Sequence, residues 1–185
     1  MTLRIYGKRT IQTLPGSLTR PTAAKVRESI FNIWAERIPN CRWLDLCSGS
    51  GAMGAEALMR GAREVTGIER YAPACKIIRE NWQRVSRSDQ KFVVLRGDVC
   101  KMLLKLQPAY DLIYFDPPYQ SQLYEPVLEI LGERRLLNAA GAIASEHDRQ
   151  IQLPDRIGAL QVFQQRTYGN TRLTFYRYGV AADSR

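Results

Sequence analysis

Three glycines close a short apolar run and open a helix-forming one in Arg42-Trp43-Leu44-Asp45-Leu46-Cys47-Ser48-Gly49-Ser50-Gly51-Ala52-Met53-Gly54. A strand, a tight turn and a helix in immediate succession leave few folds open. The helix must pack back on the sheet and return the chain to a parallel neighbour. Gly49, Gly51 and Gly54 satisfy G-x-G-x-x-G, a spacing that lets backbone approach a ligand with no Cβ in the way. Glu64-Val65-Thr66-Gly67-Ile68 supplies the next strand, and Glu69 ends it. A carboxylate there, about 20 residues beyond the loop, is placed to hold ribose hydroxyls. These residues alone suit a dinucleotide and S-adenosylmethionine equally, because both ligands carry a ribose diol.

Asp45 tilts the choice. Just ahead of the loop, its carboxylate would repel a pyrophosphate and attract the ammonium and sulfonium of S-adenosylmethionine. Asp98, after a third strand, is placed either to accept from the exocyclic amine of an adenine or to cap the helix that follows. A fourth strand ends in Asp116-Pro117-Pro118-Tyr119, at the edge of an open α/β sheet where ligands bind. Two prolines fix the backbone and remove two N–H donors, so the first carbonyl and the Asp116 carboxylate make an acceptor pair for an amino group. Tyr119 offers a flat surface for a base, worth about 1–3 kcal/mol in stacking.

The rest of the chain fits one α/β domain. Strands are expected at 42–46, 64–68, 91–96, 110–115 and 142–145, with helices at 52–60, over Ala74, Ile78, Trp82 and Val85, at 102–106 and at 123–131. Residues 160–166 and 171–178, joined through Tyr168-Gly169-Asn170, leave room only for an antiparallel hairpin. The sequence therefore predicts a Rossmann-like sheet of seven strands, mostly parallel, over 41–179, with a frayed tail at 180–185. Residues 1–40 extend the same domain as a hairpin around Gly7 and a helix capped by Thr22, whose apolar stripe is Ala23, Val26, Ile30 and Ile33. The net charge is +9, and the first 44 residues hold eight cations against two acids. Lys8, Arg9, Arg20 and Arg27 in this stretch are the expected contacts for a polyanionic partner such as a nucleic acid. Cys41, Cys47, Cys75 and Cys100 lack metal-ligand spacing, so no metal is expected and the thiols are read as reduced. No apolar run approaches the roughly 20 residues of a membrane span. The expected location is the cytoplasm, with organelle import left open by the basic, acid-free first 25 residues.

Asp-Pro-Pro-Tyr with the glycine loop resembles the amino-group methyltransferases of the class I, S-adenosylmethionine-dependent superfamily. Leu18-Thr19-Arg20-Pro21-Thr22, then Val26-Arg27-Glu28-Ser29-Ile30-Phe31-Asn32, narrows the resemblance to the RsmD family of 16S rRNA guanine-N2 methyltransferases. The chain departs from that family near its start, where Tyr6-Gly7-Lys8-Arg9-Thr10-Ile11 replaces a glycine pair and an R-G-R-like stretch. The resemblance implies Asp45, Cys47, Gly49 and Gly51 around the methionine part of S-adenosylmethionine, Glu69 and Arg70 at the ribose, and Asp98 with Val99 at the adenine. It further implies Asp116, Pro117, Pro118 and Tyr119 as the catalytic set, with S-adenosyl-L-homocysteine as product. Ribosomal RNA in a small subunit or an assembly intermediate is the expected partner of a monomer. The competing classes are a nicotinamide-dependent dehydrogenase, which leaves Asp-Pro-Pro-Tyr without a role, an RNA-binding module without activity, and an adenine-N6 methyltransferase.

Overall fold

The computed structural model describes residues 1–14, 24–108, 110–118 and 121–179. Thr22, Ala23, Arg20, Tyr119 and the 180–185 tail lie outside the described residues. The N-terminal hairpin pairs β1 (Thr2–Arg4) with β2 (Thr10–Gln12), Leu3 facing Ile11, through a single 3-10 turn in which Gly7 takes a φ of 65°. Then α1 (Ala24–Ile33) buries Val26, Ile30 and Phe31, and Arg27 with them.

The main sheet follows the expected alternation of strand and helix: β3 (Arg42–Leu46), α2 (Ala52–Met59), β4 (Glu64–Glu69), α3 (Ala72–Val85), β5 (Lys91–Arg96), α4 (Val99–Leu103), β6 (Tyr110–Phe115) and α5 (Tyr124–Glu133). It continues through β7 (Leu137–Asp148), β8 (Arg156–Ile157), β9 (Leu160–Tyr168) and β10 (Thr171–Tyr178). The spatial order is β5-β4-β3-β6-β7-β10-β9-β8, so the sheet has eight strands among the described residues. The eighth, β8, is two residues pairing with the start of β9 across Gly158, too short to leave a periodic signal. Strand β7 is also far longer than the 142–145 expected, because Leu137 pairs with Tyr110 below it and His147 with Arg172 above it. Strands β5, β4, β3, β6 and β7 run parallel, and β10 and β9 return antiparallel. After β5 the chain crosses to the other side of β3, so the sheet reverses its order of growth between β3 and β6. A crevice at the carboxyl ends of strands is where such sheets take ligands.

Each face carries its own core. On one, α1, α2 and α3 cover Trp43, Val65, Leu173 and Phe175; Phe31 stacks on Trp43 at 5.5 Å, and Trp34 meets Trp43 and Phe175 edge-on. On the other, α4 and α5 cover Phe115, Ile143 and Tyr176. Ile5 and Ile11 of the hairpin belong to the first core, so the basic arm folds with the sheet and not beside it. Among the described residues no helix is long and apolar enough to cross a membrane.

Candidate active site

The glycine loop leaves β3 with three consecutive demands on the backbone. Cys47 takes a φ of 59° and Gly49 one of 56°; Gly51, at 74°, caps α2. A non-glycine residue held in the left-handed region costs free energy and marks a site over-determined by its surroundings. At Gly51 the constraint is also steric, since a Cβ there would stand 2.8 Å from Trp82 Nε1, whose indole N–H donates to the Gly51 carbonyl at 2.8 Å. Gly54 likewise admits no Cβ, because the Trp82 ring fills the space. Trp82 is therefore the wall against which the loop is moulded.

Acidic groups close around this loop. Asp45 is buried and accepts from the Gly54 N–H at 3.0 Å. Burial raises its carboxyl to about 8, with the Gly54 N–H opposing and the charge of Glu69 adding to the rise. Glu69 bridges the loop and the start of α3, accepting from Gly49 N at 2.9 Å and Tyr71 N at 2.8 Å. The Cys47 thiol lies in the field of Glu69, Asp116 and Asp45, and burial together with these charges pushes it well above its usual range. The ends of β3, β4 and β6 thus bring three acidic residues to one part of the sheet edge, near enough for their charges to act on Cys47. Asp98 is exposed and accepts from Lys101 N at 3.1 Å, so it does cap α4; Val99 beside it is buried, and Arg70 is exposed. Asp116 is half-buried, Pro117 buried and Pro118 exposed.

Sequence reasoning missed the support beneath the Asp116 loop. Tyr114 donates to Glu146 Oε2 at 2.6 Å, and Tyr124 donates to the Glu146 carbonyl at 3.2 Å, so a buried acid on β7 holds β6 and α5 in place. An acid inside the apolar run Ala142-Ile143-Ala144-Ser145-Glu146 was the available signal.

The basic arm needs one correction. Arg27, expected to grip phosphates, is 5% exposed. Its Nε donates to Glu56 Oε2 at 2.9 Å and its Nη2 to the Arg4 carbonyl at 2.9 Å. Glu56, on α2, also takes Arg60 at 2.8 Å, and Arg60 lies over the rings of Tyr6 and Phe31. Arg27 therefore bolts the hairpin to the glycine-loop helix and is unavailable to RNA. Asn81 makes a second bolt, accepting from Gln12 N at 2.9 Å and donating to Gln12 O at 2.8 Å and Ser50 O at 3.0 Å. Lys8 and Arg9 remain exposed on the hairpin. Among the described residues no cluster of His, Cys, Asp and Glu has the arrangement of a metal site.

A doubly wound sheet with an acid-lined glycine loop at its reversal point and an Asp-Pro-Pro loop on the adjoining strand defines a Rossmann-like methyltransferase. A family model described as conserved hypothetical protein 95 matches residues 3–177, and the chain belongs to that family, the RsmD methyltransferases. It is 34% identical to YlbH of Bacillus subtilis (strain 168) over 172 residues, which covers 91% of this chain and 93% of that one. It is 30% identical over 155 residues to "Ribosomal RNA small subunit methyltransferase D" of Haemophilus influenzae, covering 82% and 80%. The solved structure of yhhF from Escherichia coli superposes with a TM-score of 0.81 at 25% identity, covering 96% of this chain and 98% of that one.

Proposed function

We propose that the chain transfers one methyl group from S-adenosylmethionine to the exocyclic N2 amine of a guanine in small-subunit ribosomal RNA, acting as a monomer on the subunit or an assembly intermediate. The observation that carries this is that Asp45, Glu69 and Asp116 stand at the carboxyl ends of three neighbouring strands around the glycine loop, with Asp45 and Glu69 hydrogen-bonded to its backbone N–H groups. The residues present fit the cofactor. The glycine backbone at Gly49 and Gly51 leaves room for close approach, and a buried acid held near neutrality, Asp45, gains most from a cation beside it. When bound, the cofactor supplies a methyl carbon activated by its sulfonium.

The chain's own residues do the rest. Asp45 faces the cationic methionine end, Glu69 keeps acceptor capacity for the ribose diol beyond its two backbone donors, and Asp98 with Val99 meets the adenine edge. The Asp116 carboxylate and the Pro117 carbonyl accept the two hydrogens of the guanine amine, whose lone pair is otherwise delocalised into the ring. These bonds strengthen as positive charge develops on nitrogen, so they favour the transition state over the bound ground state. Asp116 then takes the proton, and Tyr119 holds the base by stacking. The name of the Haemophilus influenzae relative supports ribosomal RNA as the substrate.

Asp116→Ala is the test. The variant is expected to fold and to bind S-adenosylhomocysteine like the wild type while losing methyl incorporation into small-subunit RNA. Wild-type incorporation by the variant overturns the assignment. Mass mapping of ribosomal RNA nucleosides from cells lacking the protein is expected to show one N2-methylguanine missing, and a missing N6-methyladenine would move the target to adenine.

A further inference from the structure

The carboxyl edge of the sheet carries a second cationic surface that the hairpin at the N-terminus does not account for. Strand β7 runs parallel to β6 and pairs Ser145 with Phe115, the residue before Asp116. It then continues three residues further, to Asp148, which pairs with Thr171 at the start of β10. At about 3.3 Å per residue, the β9–β10 turn stands roughly 10 Å beyond the point at which Asp116 leaves the sheet. The turn is pinned there: Arg149 N donates to the Asn170 carbonyl at 2.8 Å, and Tyr168 hydrogen-bonds Ser29 of α1. Through α1 it is continuous with the arm that carries Lys8 and Arg9.

Three arginines surround this turn. Arg149 and Arg166 are exposed and Arg172 is half-buried. Arg166 pairs with Leu173 of the α1-side core and Arg172 with His147, whose imidazole meets Tyr124 on the α5 side. Residues directly opposite in an antiparallel ladder share a face, so the two guanidiniums leave the turn on opposite faces. Nine of the other arginines are already engaged within the fold. Arg27, Arg42, Arg60 and Arg87 are ion-paired; Arg37, Arg79 and Arg134 donate to backbone carbonyls; Arg135 and Arg177 cover aromatic rings. Among the described residues no carboxylate is ion-paired with any of the three: Asp148 stands in the same turn but accepts from Gln150 N at 2.8 Å, and the neutral Gln164 amide lies 3.0 Å from Arg166 Nε. His147 adds no competing charge, since burial holds its pKa below the usual value. Gly169, at the tip with a φ of 60°, has nothing packed over it.

We propose that the β9–β10 turn is a second RNA-backbone contact, in which Arg149, Arg166 and Arg172 hold the phosphates flanking the nucleotide presented to Asp116. This rests on the RNA substrate proposed above. The hairpin and the turn then grip the strand on two sides of the Asp116 loop, which places the target base. Phosphate contacts set register and orientation and carry no sequence information, so this surface positions the base and leaves its identity to the loop.

The test is the full chain carrying Arg149→Gln and Arg166→Gln, titrated against a fluorescein-labelled RNA stem–loop with unpaired guanines across a series of KCl concentrations. Losing two phosphate contacts is expected to lower the slope of log affinity on log salt by about 1.4–1.8. Affinity for S-adenosylhomocysteine, measured by calorimetry, should stay at the wild-type value. A matched pair at the opposite edge, Lys91→Gln with Arg134→Gln, should leave the slope unchanged. Wild-type binding with an unaltered slope in the Arg149/Arg166 variant refutes this surface and spares the RNA substrate. An equal loss in the Lys91/Arg134 pair also refutes it, because the effect would then be the general field of a +9 chain. Wild-type protein that binds neither this RNA nor small subunits refutes the substrate itself. Unchanged RNA binding with reduced methylation of assembled subunits alone assigns the turn to a ribosomal protein.

Discussion

Replacing Glu56 by alanine asks whether the basic arm is held to the core by a buried charge network. Glu56 is 2% exposed and receives Arg27 at 2.9 Å and Arg60 through both Nε and Nη2, at 3.0 and 2.8 Å. Removing it leaves the Arg27 guanidinium, itself 5% exposed, without its carboxylate. Arg60 is less affected, because it is 19% exposed and keeps its contacts with Tyr6 and Phe31. Breaking a buried ion pair by removing one partner costs about 3–5 kcal/mol. For a domain of this size about 2–4 °C is lost per kcal/mol, so the melting temperature should fall by roughly 6–20 °C. Alanine is the best helix former, so none of the loss can be ascribed to weakening α2. Urea unfolding followed by circular dichroism should show a lower midpoint with an unchanged slope. The double variant Arg27→Met with Glu56→Met should recover much of the loss, since well-packed apolar groups replace buried pairs at little cost. A fall of under about 2 °C for Glu56→Ala, less than 1 kcal/mol, would refute the network as the fastening of the arm.

Two further perturbations probe the loop. Asp45 has a carboxyl at about 8 in the folded protein against 3.8 when exposed, so the folded state binds the extra proton. Stability should therefore be full below about pH 4, decline as pH rises toward about 8 and level off beyond it; Asp45→Asn should flatten that decline in thermal melts while weakening S-adenosylhomocysteine binding. A wild-type melting temperature that rises over the same interval contradicts the buried, protonated acid. Asn81→Ala strands Gln12 and the Ser50 carbonyl, at a cost of about 1–3 kcal/mol. Amide exchange at Gln12 should accelerate strongly, and protection equal to the wild type would show that β2 is held by something else.

The parallel half of the sheet was readable because its signals are local: each strand is a run of apolar residues, each turn has its glycine or proline, and Asp45, Glu69 and Asp116 all fall at strand ends. What escaped depends on pairing between distant segments. Strand β7 outgrew its apolar centre because Leu137 and His147 are strand residues only by virtue of Tyr110 and Arg172 across from them. Asp98 admitted two roles, and the capping bond to Lys101 N uses one carboxylate oxygen without removing the other from solvent. Arg27 was misassigned because periodicity places it beside Val26 at the start of a basic helix, where surface charge is the ordinary outcome. A partner-based rule would have done better. Residues 52–58 of α2 are apolar on every side except for Glu56, so burying that helix requires a cation from elsewhere. Among the described residues α1 supplies it, with Arg27 inside its own apolar stripe. The same rule applies to Glu146, whose burial in β7 is met by Tyr114. In both places a charge inside an apolar run points to a distant partner, and in both the partner lies on an element that positions the Asp116 loop or the arm above it.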